Sequence, residues 1–245
     1  MANPAVTSRH KIRRRRTQWR DPKRTFRLTR NQVEALADAM QPKYRFAVLF
    51  SAGTGVRIGE MAALRRSDLT IIGDDQGRIT RARVRVDRAV TQAKGPDGRL
   101  RTIERSPKTV AGIHTIALPA RLHDELEAHL SAHAAAGPSG LLFPGPQGDH
   151  LTLSAIYGEK SGMKHHGRGR KATRSKGRGW WRARVEAGVP NARWHLLRHT
   201  TISEAVDAGV RPADLLARFG HTDLSTSAVD QHSATDAGDH LADRL

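Results

Sequence analysis

The sequence contains no cysteine, which excludes disulfide cross-links and thiolate metal sites at once. Aromatic residues make up only 4% of it, with two tyrosines, Tyr44 and Tyr157. A single-stranded RNA binder, which grips bases by stacking, would need more. No apolar run approaches the ~20 residues of a membrane span, and the basic N-terminus lacks the apolar stretch of a signal peptide. There is no Walker-A phosphate loop, and Gly53, Gly55 and Gly59 miss the dinucleotide-binding spacing by one residue. His195 and His199 stand four apart, as zinc-protease ligands do, but Leu196 occupies the position where that chemistry needs a glutamate base. No metal and no cofactor are expected, and the chain reads as soluble and intracellular.

What is present in excess is positive charge. The 245 residues carry a formal net charge of +18, and its placement says more than its size. Residues 9–30 hold 11 Lys or Arg against one acid, and residues 160–184 hold 10 against none. Each segment therefore has a net of +10, which leaves the remainder near −2. A near-neutral globule with two basic segments has the electrostatic footprint of a nucleic-acid binder. Neither segment has the apolar face that a membrane-surface helix requires.

Residues 1–27 read as an unstructured arm, because the run Arg13, Arg14, Arg15, Arg16 repels itself and buries little. Order is expected from Thr29, which with Gln32 forms a capping-box pattern ahead of Val33, Leu36 and Met40. Pro42 opens a second, apolar helix that ends at Gly53-Thr54-Gly55, and a third carries Ile58, Met61 and Leu64. Ala82, Val84 and Val86 alternate with Arg81, Arg83, Arg85 and Asp87, the period of a half-buried strand. Gly95-Pro96-Asp97-Gly98 is a turn signal, and Ile113, Ile116 and Leu118 suggest a returning strand. Helical spacing resumes at Leu122, Leu126 and Leu130. It returns over Trp181–Val185, His195–Val206, Pro212–Phe219 and from Leu224 onward. Residues 160–179 are rich in Gly, Arg and Lys and read as a flexible basic loop, with Arg168, Arg170, Lys171 and Arg174 as DNA-backbone candidates beside the arm's arginines. Trp180 and Trp181 next to it are expected to anchor it to the core. The sum is an α+β chain: a basic arm (1–27), then one mostly helical domain (28–245) with a small antiparallel sheet.

Three strings then single out a chemistry: GTGVRIGEMAALRRSD over Gly53–Asp68, WHLLRHT over Trp194–Thr200, and GHTDLSTSAVDQH over Gly220–His232. In this order and at these separations they resemble the catalytic domain of tyrosine recombinases, a family that includes the phage integrases. The resemblance runs from about Leu28 to the C-terminus. It implies that fold, duplex DNA as substrate, and a homotetramer assembled on a recombination site. It also implies a bacterial or phage-encoded protein of the cytoplasm, associated with the nucleoid. Carried over residue by residue, Arg57 matches the first catalytic arginine and Glu60 the acid that buttresses it, although an i,i+3 helix pair would look the same. Lys108, in Ser-Pro-Lys-Thr, matches the hairpin lysine, with Lys94 on the same stretch as the competing choice. His195 and Arg198 match the His-x-x-Arg pair, and His221 the histidine that follows Gly220. Two planar guanidiniums can each grip a phosphate bidentately as charge builds on its non-bridging oxygens. The resemblance gives Lys108 the leaving oxygen to protonate, and gives His195 and His221 proton transfer or hydrogen bonding at the phosphate.

One departure matters most. The family's tyrosine nucleophile lies nine residues after the Gly-His histidine and two before a further His. Here that position is Asp230, with His232 in register. No tyrosine follows Tyr157. An aspartate is shorter by roughly 3 Å and would form an acyl phosphate, which hydrolyses instead of waiting for a second strand. Loss of a nucleophile in other covalent enzymes costs on the order of 10⁶ in rate. The chain is therefore expected to bind DNA without recombining it, the alternative being a non-enzymatic DNA-binding regulator derived from a recombinase. The family also places a folded core-binding domain ahead of the catalytic one. Here either the sequence is a fragment or the basic arm takes that domain's place, with salt-dependent, sequence-poor affinity.

Overall fold

The computed structural model describes residues 27–107, 112–158 and 179–219. Helix α1 (Arg30–Asp38) begins with the capping box read from sequence: Thr29 Oγ1 accepts from the Gln32 amide at 3.2 Å, and the Thr29 amide donates to Gln32 Oε1 at 2.9 Å. Helix α2 (Pro42–Thr54) starts on a proline, which loses nothing where the helix has no acceptor for an amide, and is buried along its whole second half. It forms the centre of the core, packed by α1, by α4 (His123–Ala132) and by α7 (His195–Asp207). The short α3 (Ile58–Ala63), α5 (Leu153–Tyr157), α6 (Trp180–Glu186) and α8 (Pro212–Phe219) complete the described helices. None of these is long and apolar enough to cross a membrane.

The strands form two separate antiparallel sheets among the described residues. Strands β1 (Leu69–Gly73), β2 (Ile79–Val86) and β5 (His114–Ala117) pair in the order β1-β2-β5. The alternation read at 81–87 is β2: Ala82, Val84 and Val86 are buried and Arg81, Arg83 and Arg85 face solvent. Strand β5 starts at His114, and Ile113 lies before it, 44% exposed. The turn at Gly95–Gly98 does not join those two strands. It closes a hairpin of its own, β3 (Ala89–Lys94) with β4 (Leu100–Arg105). That hairpin gives no periodic signal because it buries neither face completely. It is seated instead by close backbone approach: a Cβ on Gly59 of α3 would lie 2.5 Å from the Val90 carbonyl oxygen. Arg88 clamps its base with Nη1 and Nη2 on the two oxygens of Asp68 at 2.9 and 3.1 Å.

Candidate active site

The site grows out of the way α2 ends. Thr54 donates its hydroxyl to the Phe50 carbonyl at 2.6 Å, and Gly55 then takes a left-handed φ of 69° that turns the chain sharply. This delivers Arg57 as an extended residue at the head of α3. Glu60, one turn later and buried, uses both oxygens on Arg57: Oε2 accepts the Arg57 backbone N–H at 2.8 Å and Oε1 accepts Nη1 at 2.8 Å. The buttress read from sequence is therefore an interaction of main chain and guanidinium together. The Arg57 side chain stays 42% exposed.

Arg198 reaches the same place from α7, and it is only 4% exposed. Its Nη1 donates to the Gly55 carbonyl and its Nη2 to the Phe219 carbonyl at 2.9 Å. Arg57 Nη1 approaches that same Phe219 oxygen at 3.4 Å. The Phe219 carbonyl, at the end of the described part of α8, thus gathers both arginines. The Phe219 ring fixes this arrangement from below. A Cβ on Gly55 would fall 2.4 Å from its Cε1, and the Arg198 guanidinium lies 5.3 Å from its centroid. A third guanidinium, Arg218, reaches toward the Gly53 and Ala117 carbonyls at 3.4 Å, and burial pulls its pKa downward. Motif spacing picks out neither Arg218 nor Phe219. The only sequence signal for them is their position immediately ahead of Gly220-His221 on a strongly amphipathic helix.

His195 opens α7 three residues before Arg198 and is exposed. Its ring stands edge-on to His199, with centroids 4.6 Å apart. The start of this helix is set by an aromatic cluster. The Trp194 amide donates to the Tyr157 hydroxyl at 3.0 Å, Trp180 Nε1 donates to the Ala192 carbonyl at 3.0 Å, and the Trp180 and Trp194 rings meet at 5.0 Å. Trp180 is fully buried. Trp181 takes the Arg184 guanidinium at 4.2 Å and the edge of Tyr157. The tryptophan pair thus belongs to the framework that aims His195.

Arg57, Glu60 and Arg198 are brought together, with His195 one helical turn from Arg198. Lys94 ends β3 in the open, at the tip of the hairpin. Lys108, His221 and Asp230 lie outside the described residues, as do Arg13, Arg14, Arg15, Arg16, Arg168, Arg170, Lys171 and Arg174. Strand β4 ends at Arg105, three residues before Lys108, and Arg65 ties its Glu104 at 2.9 Å. Among the described residues no three His, Cys, Asp or Glu side chains are grouped to hold a metal ion. What the site offers is fixed guanidinium donors on rigid elements, with a histidine beside them.

A model of the phage integrase family matches residues 26–236. The chain belongs to that family. The prophage phiRv2 integrase of Mycobacterium tuberculosis H37Rv is 32% identical over 208 residues, 84% of this chain and 47% of that protein. The integrase of Mycobacterium phage L5 is 27% identical over 197 residues, 80% of this chain and 45% of the phage protein. The chain thus spans about half the length of the curated relatives it matches. In fold it is similar to the Tn1549 transposon integrase solved in complex with circular intermediate DNA, with a TM-score of 0.64 at 19% identity, over 89% of this chain and 66% of that one. It is also similar to the XerA recombinase, with a TM-score of 0.56 at 18% identity, over 87% and 61%. The α+β architecture of helices and small antiparallel sheets is that of tyrosine recombinase catalytic domains.

Proposed function

We propose that this chain is the phosphate-handling domain of a tyrosine-type site-specific DNA recombinase whose nucleophile position carries Asp230, so that it engages a recombination site without cutting it. The observation that carries the reading is the convergence of Arg57 and Arg198 on the end of α8. Two planar forks held there by backbone carbonyls and by Glu60 are preorganised for a phosphoryl group whose charge grows during displacement. His195 supplies a proton-handling or hydrogen-bonding group at the same edge, Lys108 the proton for the departing 5′ oxygen, and His221 a further hydrogen bond. In the complete cycle of this chemistry a tyrosine oxygen attacks phosphorus, the 5′ oxygen leaves, and the strand is held as a 3′-phosphotyrosyl ester until it is religated. At residue 230 a carboxylate replaces the phenol, which blocks that cycle at its first step. The arm's arginines and the basic segment around Arg168, Arg170, Lys171 and Arg174 hold the duplex backbone, and four copies assemble on the site.

A nicked suicide substrate that traps covalent adducts tests this directly on the chain and on Asp230→Tyr. An adduct with the tyrosine variant alone is the expected result. Binding by both proteins with no adduct from either refutes a competent scaffold and leaves a DNA-binding regulator.

A further inference from the structure

The solvent face of the three-stranded sheet carries a charge pattern that the phosphate site does not use. Arg81, Arg83 and Arg85 all project from that face of β2, because successive residues of a strand alternate sides. Residues paired directly across a sheet share a face. The neighbours there are Ile72 and Thr70 on β1, and Thr115 and Ala117 on β5. All four are uncharged. Among the described residues Arg81 and Arg83 have no carboxylate within ion-pair distance. Arg85 meets Asp87 at 3.3 Å, but Asp87 also pairs with Arg88 at 2.9 Å. Edge protection does not account for the stripe, since β2 is the central strand and both its edges are paired. Three like charges two residues apart repel one another, and among the described residues only Arg85 gains an ion pair from the fold.

We infer that this face is a further docking surface for duplex DNA, gripping the phosphate backbone alongside the arginines at the end of α8, which packs against β5 through Arg218 and Ala117. The inference rests on the DNA-binding reading above and extends it. Alternate residues of an antiparallel strand advance about 6.8 Å, a spacing that lets successive guanidiniums reach separate phosphates of one backbone. Arginines on a rigid strand can therefore meet a run of phosphates without the ordering cost that flexible tails carry. The three strands contribute none of Arg57, Glu60, His195 or Arg198. The stripe can thus hold flanking DNA or a second duplex while those residues hold one phosphate. Contacts to backbone alone make it indifferent to sequence.

The test is equilibrium binding of the full chain to a random-sequence duplex and to one containing the recombination site, each across a range of salt. The triple variant Arg81→Ala, Arg83→Ala, Arg85→Ala is compared with the parent. Neutralising a phosphate contributes ~0.9 to the slope of log affinity against log salt, so losing three contacts is expected to reduce that slope by about 2 to 3 on both duplexes. The melting temperature should be unchanged. A parent chain that binds DNA, with the variant showing the same slope and affinity, overturns the sheet-face inference alone. A parent chain that binds neither duplex overturns it together with the DNA-binding reading. Polyglutamate that binds the parent more tightly than duplex, and loses that binding in the variant, also overturns it, by assigning the face to an acidic protein.

Discussion

Replacing Gly55 by alanine should damage this molecule more than its φ alone explains, and a second glycine supplies the reference. Gly55 and Gly77 both adopt a left-handed backbone, with φ of 69° and 78°. Putting an L side chain in that conformation costs roughly 1–2 kcal/mol at either place. The gain from stiffening the unfolded chain is also common to both and cancels in the comparison. At Gly77, in the turn between β1 and β2, a Cβ meets nothing within 4 Å. At Gly55 it falls 2.4 Å from Cε1 and 3.0 Å from Cδ1 of the buried Phe219 ring. Moving a packed ring aside costs about 1–3 kcal/mol. Gly55→Ala is therefore expected to lose about 1–3 kcal/mol more than Gly77→Ala in urea unfolding at neutral pH, read as a shift of midpoint at constant slope. The same displacement moves the Phe219 carbonyl that receives Arg198 and Arg57. In an Asp230→Tyr background, Gly55→Ala should then slow suicide-substrate cleavage, whereas Gly77→Ala leaves it intact. Equal stability losses for the two alanines would show that Phe219 yields freely, and would refute the claim that it holds the arginine pair in place.

A pH effect on stability follows from His129, which is buried between the Phe46 and Phe143 rings, with Nε2 donating to the Leu142 carbonyl at 2.7 Å. Burial pulls its pKa from 6.5 to about 4. The unfolded chain therefore takes up the proton first, and stability falls as pH drops from 6.5 toward 4. The loss is roughly 3 kcal/mol at ~1.4 kcal/mol per pKa unit. Urea midpoints measured from pH 7 to 4 should fall in the parent and flatten in His129→Phe; parallel profiles would exclude this histidine as the source. Two substitutions near the phosphate should separate framework from chemistry. Arg198→Lys replaces the two forked nitrogens that serve the Gly55 and Phe219 carbonyls by a single shorter-reaching one, and should cost about 1–3 kcal/mol of stability along with cleavage by Asp230→Tyr. His195→Ala, at an exposed position, should cost less stability than Arg198→Lys while lowering that cleavage by roughly 10²- to 10⁴-fold. Denaturation curves and adduct yields on the same preparations check both.

Elements whose residues carry a strong local pattern are legible in the sequence: the Thr29–Gln32 box, the Pro42 start, the alternation of β2, and the bounds of α8 at Pro212 and Phe219. Strand β1 is not, because Leu-Thr-Ile-Ile-Gly does not alternate and most of it is exposed. The β3–β4 hairpin escapes for a related reason. It is held by cross-strand hydrogen bonds, by Gly59 against Val90 and by the Arg88–Asp68 clamp, none of which leaves a periodic trace. At the site, the family resemblance points to Arg57, Glu60, His195 and Arg198. It cannot tell that Glu60 also accepts the Arg57 amide, or that Phe219 lies between Gly55 and Arg198. The second of these depends on contacts between residues more than 140 positions apart, which no local pattern encodes.

Those contacts bear on how the two functional readings can be separated. Arg198 has a structural role whatever its part in the chemistry. Its buried guanidinium joins the end of α2 to the end of α8, and without it two carbonyls lose their donors inside the core. A chain that had given up strand cleavage would still lose stability on losing Arg198. The same holds for Glu60, which secures the first turn of α3 through the Arg57 amide, and for Gly55. Retention of these residues therefore says little about whether the chemistry is used. His195 is different: it stands exposed at the start of α7, its ring edge-on to that of His199. A histidine there beside Arg198, together with an arginine at 57 that remains 42% exposed beyond its Glu60 pair, is better explained by a phosphate to be held than by the needs of the fold. On that ground the recombinase reading, with residue 230 as the interrupted step, accounts for more of the site than the regulator reading does.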